Sequence, residues 1–347
     1  MTEADSRTPK NFTLIDDWLQ WLRHGRNRSA RTIEIYSLAM KRLQEFMPGR
    51  PLLEYTEVEL QAFCGLWLHN KGIVAKGRVP YISAVKGFYK WAVSAGHTKR
   101  HLASGIEQPK TGRKLPNLIT LANAEKLMWG PDLDSFIGIR DAAMMALLMG
   151  CGFRVGGLVA LNESSLAMTQ VGKEPRMVVK VTEKGGKERL VPVPKEAEML
   201  LRVYLAHEDL VDIDRDIPTK AGMPQDKVLF VSVRSTQVTA DLHRGERRRL
   251  TRKAVHDMLQ KYGRRLGIPK DQLHPHALRH LYGTELVEED VHMESVQGLM
   301  GHADVKTTFL YVHLAARRKF GDVDKASPLA KINTPVSELL RRLPPQT

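Results

Sequence analysis

The chain has 347 residues, of which 42% are hydrophobic and 27% are charged, a balance that is typical of folded globular proteins and excludes a disordered chain. Its 53 lysines and arginines outnumber its 39 aspartates and glutamates, which gives a net charge of +14. An excess of this size predicts a polyanionic partner, and nucleic acid is the first candidate.

Residues 1–11 are polar and are predicted to form a flexible tail. They lack the basic start and the apolar run of a secretion signal. The most apolar stretch of the chain, residues 142–149, is far shorter than the roughly 20 residues of a membrane span. Two cysteines exclude a disulfide framework. We therefore expect the chain to act in the cytoplasm, without a membrane partner.

Residues 12–99 are predicted to form an N-terminal helical domain. Apolar residues recur there every three or four positions, which is the spacing of amphipathic helices. The segments that follow this spacing are residues 12–24, 30–47, 57–70 and 79–95. Four of the five tryptophans lie in the same region, which favours a packed core: Trp18, Trp21, Trp67 and Trp91.

A change of composition marks the end of this domain. Residues 97–117 contain five lysines and arginines, two glycines and two prolines, and they show little periodicity. This pattern predicts an exposed basic linker, which we assign to residues 100–117. Such a linker either stays solvated or wraps a DNA duplex, and the segment alone leaves both interpretations open.

Residues 118–326 are predicted to form a second domain, followed by a C-terminal tail over residues 327–347. Helical spacing recurs at residues 120–129, 135–149, 196–207, 253–266, 274–287, 293–300 and 305–314. Within the tail, residues 335–343 carry an apolar stripe behind a proline and predict one more helix.

Strand patterns are fewer. Residues 177–182 and 189–193 are rich in β-branched side chains and flank a charged turn, which predicts a β-hairpin. Residues 228–233 predict a short strand, and residues 208–227 a loop. The expected fold is therefore mainly α with a small β-sheet.

Six side chains of the second domain suit a single reaction, the attack on a phosphodiester without a metal: Arg154, Lys184, His276, Arg279, His302 and Tyr311. Guanidinium groups bind phosphate oxygens through forked donors and stabilise the charge that grows in the transition state. A tyrosine becomes a nucleophile when cations favour its phenolate, and a histidine can take its proton. A lysine at a hairpin tip can protonate the leaving oxygen.

Each of these residues also has a plain interpretation. Arg154 can cap a helix end, Tyr311 can be half-buried packing, and Lys184 can be a solvated turn residue. Three nearby histidines suggest a zinc site: His274, His276 and His280. Because no cysteine or carboxylate completes that set, we expect no metal and no other cofactor.

Three segments carry a resemblance to a known family. They read GCGFR at residues 150–154, TEKGGKERLVPV at 182–193, and HPHALRH at 274–280 followed by GHADVKTTFLY at 301–311. Over most of residues 12–314 the chain resembles the tyrosine recombinase (phage integrase) family, in its simple two-domain, Xer-like or Cre-like form. The resemblance implies an N-terminal helical core-DNA-binding bundle of the SAM-like type and an α+β catalytic domain, which together clamp a DNA duplex.

The resemblance also implies a role for each site residue. By this resemblance, Arg154 is the first catalytic arginine, and His276 and Arg279 form the pair of the second motif. Lys184 is the general acid, with Lys187 as the second candidate. His302 is the histidine that stabilises the transition state, and Tyr311 is the nucleophile. The implied product is a 3′-phosphotyrosyl link with a free 5′-hydroxyl, formed without ATP. Many members carry a glutamate three residues after the first arginine, where this chain has Gly157, and this departure concerns the support of the site.

A basic stretch before the His276 motif is the candidate DNA-binding surface: Arg244, Arg247, Arg248, Arg249, Arg252 and Lys253. The resemblance suggests phosphate contacts there, and a solvated helix face is the plain alternative. It also implies that the last helix docks on a neighbouring protomer in a homo-tetramer on two DNA sites, with or without a second recombinase or an accessory protein. Packing of that helix on its own domain is the alternative.

The expected function is site-specific DNA recombination, for the integration, excision or resolution of DNA elements. Two alternatives stay open: a related enzyme that relaxes DNA or resolves hairpin ends, and a DNA-binding factor without strand exchange. Because the chain begins near the helical bundle, we expect no additional arm-binding domain. The target sequence depends on groove contacts and DNA shape, which one sequence leaves open.

Overall fold

The computed structural model of the chain describes residues 8–110, 117–182, 188–218, 225–235, 238–301 and 305–314. The chain divides into two compact units, Met1–Leu115 and Pro116–Thr347. Within the described ranges, no helix is both long enough and apolar enough to cross a membrane. Several predicted features lie outside the described residues: most of the N-terminal tail, the second half of the linker, the hairpin tip with Lys184 and Lys187, His302, and the helix at 335–343.

The first unit is a helical bundle. Its helices are α1 (Thr8–Gln20), α2 (Ala30–Phe46), α3 (Glu57–Ala62), α4 (Leu68–Asn70) and α5 (Ala75–Ser94). Side chains fix two of the helix starts. The Ser29 hydroxyl accepts from the Thr32 amide at 3.3 Å, and Thr56 and Glu59 form a reciprocal capping box. A π turn over Phe63–Trp67 joins α3 to α4, so the predicted helix 57–70 is continuous apart from this widened turn.

Aromatic rings fill the core of this bundle. Trp18 is fully buried, stacks on Tyr36 with ring centroids 5.5 Å apart, and meets Phe88 edge-on at 5.6 Å. The core extends into the segment that we expected to be an exposed linker, because Ala103 and Ile106 are buried in it. The short apolar side chains of that segment thus pack against the bundle, despite its lack of periodicity.

The second unit holds the remaining helices. They are α6 (Leu121–Met128), α7 (Phe136–Gly150), α8 (Val155–Val159), α9 (Lys195–Leu205), α10 (Glu208–Val211), α11 (Arg252–Arg265), α12 (Pro275–Glu288), α13 (Met293–Met300) and α14 (Val305–Leu314). Almost every side chain of α7 is buried, so this helix forms the centre of the main core. Its two buried charges neutralise each other, since Arg140 pairs with Asp141 at 2.6 Å and Tyr262 donates to Asp141 at 3.0 Å.

A three-stranded antiparallel sheet, in the order β1-β2-β3, lies beside this core. The strands are β1 (Leu166–Val171), β2 (Glu174–Thr182) and β3 (Glu188–Pro192). The hairpin of β2 and β3 is the predicted one, with Val181 opposite Arg189. Strand β1 was not predicted, because all but its first side chain are exposed and its sequence shows no alternation.

The region between α9 and α11 differs most from prediction. Residues 228–233 are not a strand: the chain is irregular there, and only Val228 and Val231 make isolated bridges. The predicted loop 208–227 contains α10 and both strands of a small two-stranded sheet, β4 (Asp216–Ile217) and β5 (Asp226–Lys227). The apolar side chains of residues 228–231 do enter the core, so the hydrophobic pattern indicated burial but not strand pairing.

Candidate active site

Helix α12 carries the second motif. It begins at His274, whose Nδ1 accepts from the amide of Ala277 at 3.0 Å, and Pro275 occupies the first helical position. This start places His276 and Arg279 three residues apart, on neighbouring positions of the helix surface. His276 keeps much of its surface in solvent and is only partly covered, whereas Arg279 is only 3% exposed.

The C-terminal end of α13 faces this part of α12. Gly301 follows the last helical residue in the left-handed conformation, with φ 61° and ψ 47°, and its amide donates to the Gly298 carbonyl at 3.1 Å. Glycine adopts this conformation without the strain that a side chain would add. Such a helix end leaves its last carbonyls available to other donors.

Three arginines from three different elements donate to successive carbonyls of this helix end. The pairs are Arg189 with Leu299 at 2.8 Å, Arg279 with Met300, and Arg154 with Gly301 at 3.1 Å. The end of a helix carries a partial negative charge, so guanidinium groups are favourable there. Two of the three, Arg154 and Arg279, are residues that the sequence assigned to phosphate binding. The next residue in the chain is His302.

Arg279 also braces the turn that carries Arg154. Its Nη1 donates to the carbonyl of Gly152, which has φ 60° and lies two residues before Arg154. A side chain at Gly152 would meet the Tyr282 ring at 2.3 Å, so glycine is required on both grounds. The buried Arg279 therefore holds the turn after α7 and the end of α13 at the same time.

Tyr311 lies on α14 and packs into a small apolar cluster that joins α12, α13 and α14. Only 2% of the residue is exposed. Burial raises the pKa of its phenol, while the positive charges of Arg279 and Arg154, together with a hydrogen bond from Arg279, lower it. The proposed nucleophile is thus in contact with one of the two site arginines and within the field of both.

Two histidines of α12 lie close to this cluster. The ring of His280 lies 5.7 Å from that of Tyr311 and 6.3 Å from that of His276. Partial burial is the main reason that the pKa of both histidines is lowered, to about 4 for His280, and neighbouring cations add to the effect. Both rings are therefore neutral near pH 7, which lets His276 accept a proton.

The structure thus brings together four of the six predicted site residues: Arg154, His276, Arg279 and Tyr311. Lys184, its alternative Lys187 and His302 lie outside the described residues. Sequence reasoning missed the contact of Arg189 with the end of α13 and that of Gly283 with the Tyr311 ring, which a Cβ added at Gly283 would approach to 2.6 Å. A mid-helix glycine such as Gly283 is a usable signal, because it costs helix stability unless close packing requires it.

Gly157 occupies the position where a glutamate was expected. A Cβ added there would meet only Val181, at an ordinary contact distance of 3.4 Å. At the preceding Gly156, a side chain would lie 2.9 Å from the guanidinium of Arg252. The two adjacent glycines therefore differ, since Gly156 makes room for Arg252 and Gly157 leaves space unused.

The basic stretch divides into two groups. Arg249 turns inward and donates to the carbonyls of Val159 and Leu161 and to the Asn162 side chain, at 2.7–3.0 Å. Arg248 donates to the Val233 carbonyl at 3.2 Å. These two guanidinium groups hold protein segments together.

The other four basic side chains are exposed: Arg244, Arg247, Arg252 and Lys253. Lys253 pairs with Asp257, one turn later on α11, at 2.5 Å. Of the two groups in the basic stretch, these four exposed residues are the ones that a polyanion can reach. Among the described residues, no group of three or more His, Cys, Asp and Glu side chains is arranged to hold a metal ion.

Comparisons with known proteins match both units. The family description "Phage integrase family" matches residues 117–318, and "Phage integrase, N-terminal SAM-like domain" matches residues 15–96. The tyrosine recombinase XerC of Pseudomonas syringae pv. syringae (strain B728a) is 30% identical over 320 residues, covering 91% of this chain and 96% of the relative. The tyrosine recombinase XerD of Proteus mirabilis is 29% identical over 321 residues, covering 91% and 93%.

Solved structures share the fold. The XerH site-specific recombinase bound to palindromic difH substrate, in a post-cleavage complex, has a TM-score of 0.66 at 17% identity, covering 92% of this chain and 85% of that one. A lambda integrase (75–356) dimer bound to a COC′ core site has a TM-score of 0.60 at 16% identity, covering 85% and 96%. At these identities the likeness concerns the fold, which is mainly helical with a small sheet, as expected.

Proposed function

Because the chain belongs to the phage integrase family, we propose that its Tyr311 cleaves and rejoins DNA through a covalent phosphotyrosyl intermediate. The chain is a site-specific tyrosine recombinase, an enzyme of DNA cleavage and religation. The observation that carries the residue assignment is the hydrogen bond from Arg279 to Tyr311. At the end of α13, Arg279 and Arg154 donate to the neighbouring carbonyls of Met300 and Gly301.

In the proposed step, the Tyr311 oxygen attacks the scissile phosphorus and forms a new P–O bond, while the bond from phosphorus to the 5′ oxygen breaks. The phenol proton passes to His276, which is neutral because its pKa is lowered. The leaving 5′ oxygen takes a proton from Lys184. The products are a 3′-phosphotyrosine and a free 5′-hydroxyl. Attack by the 5′-hydroxyl of another strand reverses the step and rejoins DNA without ATP.

The two arginines supply the electrostatic part of the mechanism. Arg279 and Arg154 face the same helix end with forked donors, the arrangement that fits two non-bridging phosphate oxygens. Removal of one such donor typically costs about 2.7–4 kcal/mol of transition-state stabilisation.

For DNA binding we propose residues 12–99 as the core-binding domain and residues 118–326 as the catalytic domain. In the second, the exposed basic residues named above are proposed to contact phosphates, while Arg248 and Arg249 brace the fold. The exposure of the first group and the hydrogen bonds of the second support this division. Binding of this kind weakens steeply as salt is added.

The expected assembly is a homo-tetramer on two DNA sites, acting in the cytoplasm where such DNA lies. The lambda integrase structure, a dimer on a core site, supports a multi-subunit arrangement of the shared fold. Mobile-element integration, excision and resolution remain the candidate tasks. The alternative of a DNA-binding factor without strand exchange is not favoured, because the chain matches tyrosine recombinases over nearly the whole length of those relatives.

The nucleophile can be tested by trapping. The full chain is incubated with nicked suicide duplexes drawn from the genomic neighbourhood of its gene, and protein–DNA adducts that resist denaturation are separated. We expect an adduct with the native chain and with Tyr282→Phe, a matched change of a half-buried tyrosine on α12, but none with Tyr311→Phe. The trapped DNA identifies the target site.

Two results would overturn parts of this proposal. An adduct that persists in Tyr311→Phe would assign the nucleophile to another residue. Tight, salt-sensitive binding with no adduct in the native chain would favour the DNA-binding factor. Strand joining between two labelled duplexes then separates recombination from simple relaxation.

A further inference from the structure

Two histidines of α12 form a line from the buried Tyr311 ring towards solvent. His276 and His280 lie four residues apart, so they share one face of the helix. The ring of His280 lies 5.7 Å from that of Tyr311 and 6.3 Å from that of His276. Tyr311 is only 2% exposed, His280 is half-buried, and His276 keeps much of its surface in solvent. The ring of His280 is therefore a neighbour of both the phenol and the more exposed histidine.

The hydroxyl end of Tyr311 lies against the same part of α12. A Cβ added at Gly283 would be closest to Cζ, the ring atom that carries the hydroxyl. Gly283 follows Arg279 by four residues and His280 by three, so the three residues are neighbours on the helix surface. Arg279 makes a hydrogen bond with the phenol. Because a guanidinium carries donors only, it favours the phenolate but cannot take the phenol proton.

His280 has a nitrogen that suits this task. Its Nδ1 is buried and has no hydrogen-bond partner among the described residues. Buried polar atoms are nearly always paired, so an unpaired one calls for an explanation, and a role in the reaction is one such explanation. A neutral imidazole accepts a proton at one nitrogen and donates one from the other. Since the pKa of His280 is lowered to about 4, chiefly by burial, the ring suits the transfer of a proton and not its storage.

We propose that His280 relays the phenol proton of Tyr311 to His276. As the Tyr311 oxygen attacks phosphorus, its O–H bond breaks and the proton binds Nδ1 of His280. The proton on Nε2 of the same ring passes to His276, directly or through one water. His280 is neutral before and after the step, and His276 becomes the imidazolium. The inference rests on the proposed function, with Tyr311 as nucleophile and His276 as the final proton acceptor.

The test changes the acidity of the phenol at position 311. Tyr311 is replaced by a difluorinated tyrosine, with fluorine on both carbons next to the hydroxyl carbon, which lowers the phenol pKa and the need for a base. Cleavage of one suicide duplex is timed with each phenol in the native, His276→Gln and His280→Gln chains. A defect in proton removal shrinks with the fluorinated phenol, whereas a defect in the folded fraction does not.

We expect His276→Gln and His280→Gln to slow cleavage by similar factors, about a hundredfold each, because both interrupt one transfer. Most of either loss should disappear with the fluorinated phenol. The double variant should be no slower than the slower single variant, since residues that act in one step are not additive. Because the ratio of the two rates is independent of the folded fraction, His280→Asn gives the same comparison if His280→Gln folds poorly.

His292→Gln is the matched control. His292 is an exposed histidine at the start of α13, and its side chain makes no capping hydrogen bond. With either phenol, this variant should cleave at the native rate.

The other outcomes overturn the relay. If fluorination rescues His276→Gln but not His280→Gln, the proton reaches His276 by another route, and the inference is wrong while the proposed function stands. An unchanged rate in His280→Gln, or losses that multiply in the double variant, also contradict it. If neither variant is rescued, neither histidine removes the phenol proton, and the assignment of His276 fails as well. The adduct of Tyr311 is scored separately and decides the nucleophile.

Discussion

Gly283 and Tyr311 are in direct contact: a methyl group on Gly283 would lie 2.6 Å from Cζ of the Tyr311 ring and 2.7 Å from Cε1. Real side-chain carbons are not found so close to other atoms. Helix α12 therefore supports the proposed nucleophile with bare backbone at this point. The neighbouring turn of the same helix carries Arg279, which donates to the phenol. One helix thus sets both the place and the charge environment of Tyr311.

Gly283→Ala should displace the Tyr311 ring. We expect adduct formation to slow by about tenfold or more, since small misplacements of reacting groups carry costs of this size. Stability should fall by about 1–3 kcal/mol, as for other overpacked sites. Gly298→Ala on α13 is the control, because a side chain there meets no atom within 4 Å. Equal cleavage rates for the two variants would show that the contact does not position the phenol.

Arg249→Gln and Arg247→Gln should separate fold support from DNA contact. Arg249→Gln removes the donor from two carbonyls and from Asn162, so we expect a loss of about 3 kcal/mol in the free energy of unfolding. Arg247→Gln should leave stability unchanged and reduce the slope of log affinity against log salt by about one. Chemical unfolding and a salt titration of DNA binding provide the two measurements. A reduced slope with full stability in Arg249→Gln would place that residue on the DNA.

The sequence located the helices because their burial follows a 3.6-residue period. The segments predicted at 293–300 and 305–314 have the bounds of α13 and α14. The periodicity of apolar residues does not predict secondary structure where a segment is wholly exposed or wholly buried. Strand β1 is exposed and shows no pattern, while residues 228–231 are buried without pairing as a strand. Local sequence specifies these segments weakly, because contacts with distant elements decide their conformation.

The sequence predicted which residue types form the site, but not which of these residues are hydrogen-bonded to one another. Spacing alone put His276 and Arg279 on one helix, and motif order added Arg154 and Tyr311. The convergence of three arginines on the end of α13 joins residues more than a hundred positions apart in two of its three pairs. Nothing local to Arg189 indicates that partner. The same limit applies to Arg249, since its charge does not show whether the side chain binds other protein segments or contacts DNA.

Gly157→Glu should be tolerated. Its Cβ would meet only Val181, at an ordinary contact distance of 3.4 Å. The residue would stand in the first turn of α8, where a carboxylate interacts favourably with the helix N-terminus. Replacing a glycine inside a helix also raises the free energy of unfolding by about 0.5–1 kcal/mol, because other residues lose less backbone freedom on folding. We therefore expect a slightly higher melting temperature. Gly156→Ala is the contrast, because it must move the Arg252 guanidinium and should weaken DNA binding. A lower melting temperature in Gly157→Glu would show that the space beside Val181 is needed.

His280 should make the fold sensitive to acid. Its pKa is about 4 in the folded chain, mainly through partial burial and then through the charges of His276 and Arg279, against 6.5 when unfolded. Above pH 6.5 neither state binds the proton, and the stability contribution is fully present. Between pH 6.5 and about 4, only the unfolded chain binds it, so stability falls as pH falls. Without screening, this difference in pKa corresponds to roughly 3.4 kcal/mol, and solvent screening of the half-buried ring makes the expected loss of stability smaller.

Urea unfolding of the native chain and of His280→Gln, at a series of pH values from 7.5 to 4, measures this term. Any loss of packing in the variant appears equally at every pH, so the difference in slope isolates the titration of His280. We expect the slope of the variant to be shallower between pH 6.5 and 4 and unchanged above that range. Parallel curves would mean that His280 titrates alike in both states, and the ring beside Tyr311 would then be charged at mildly acid pH.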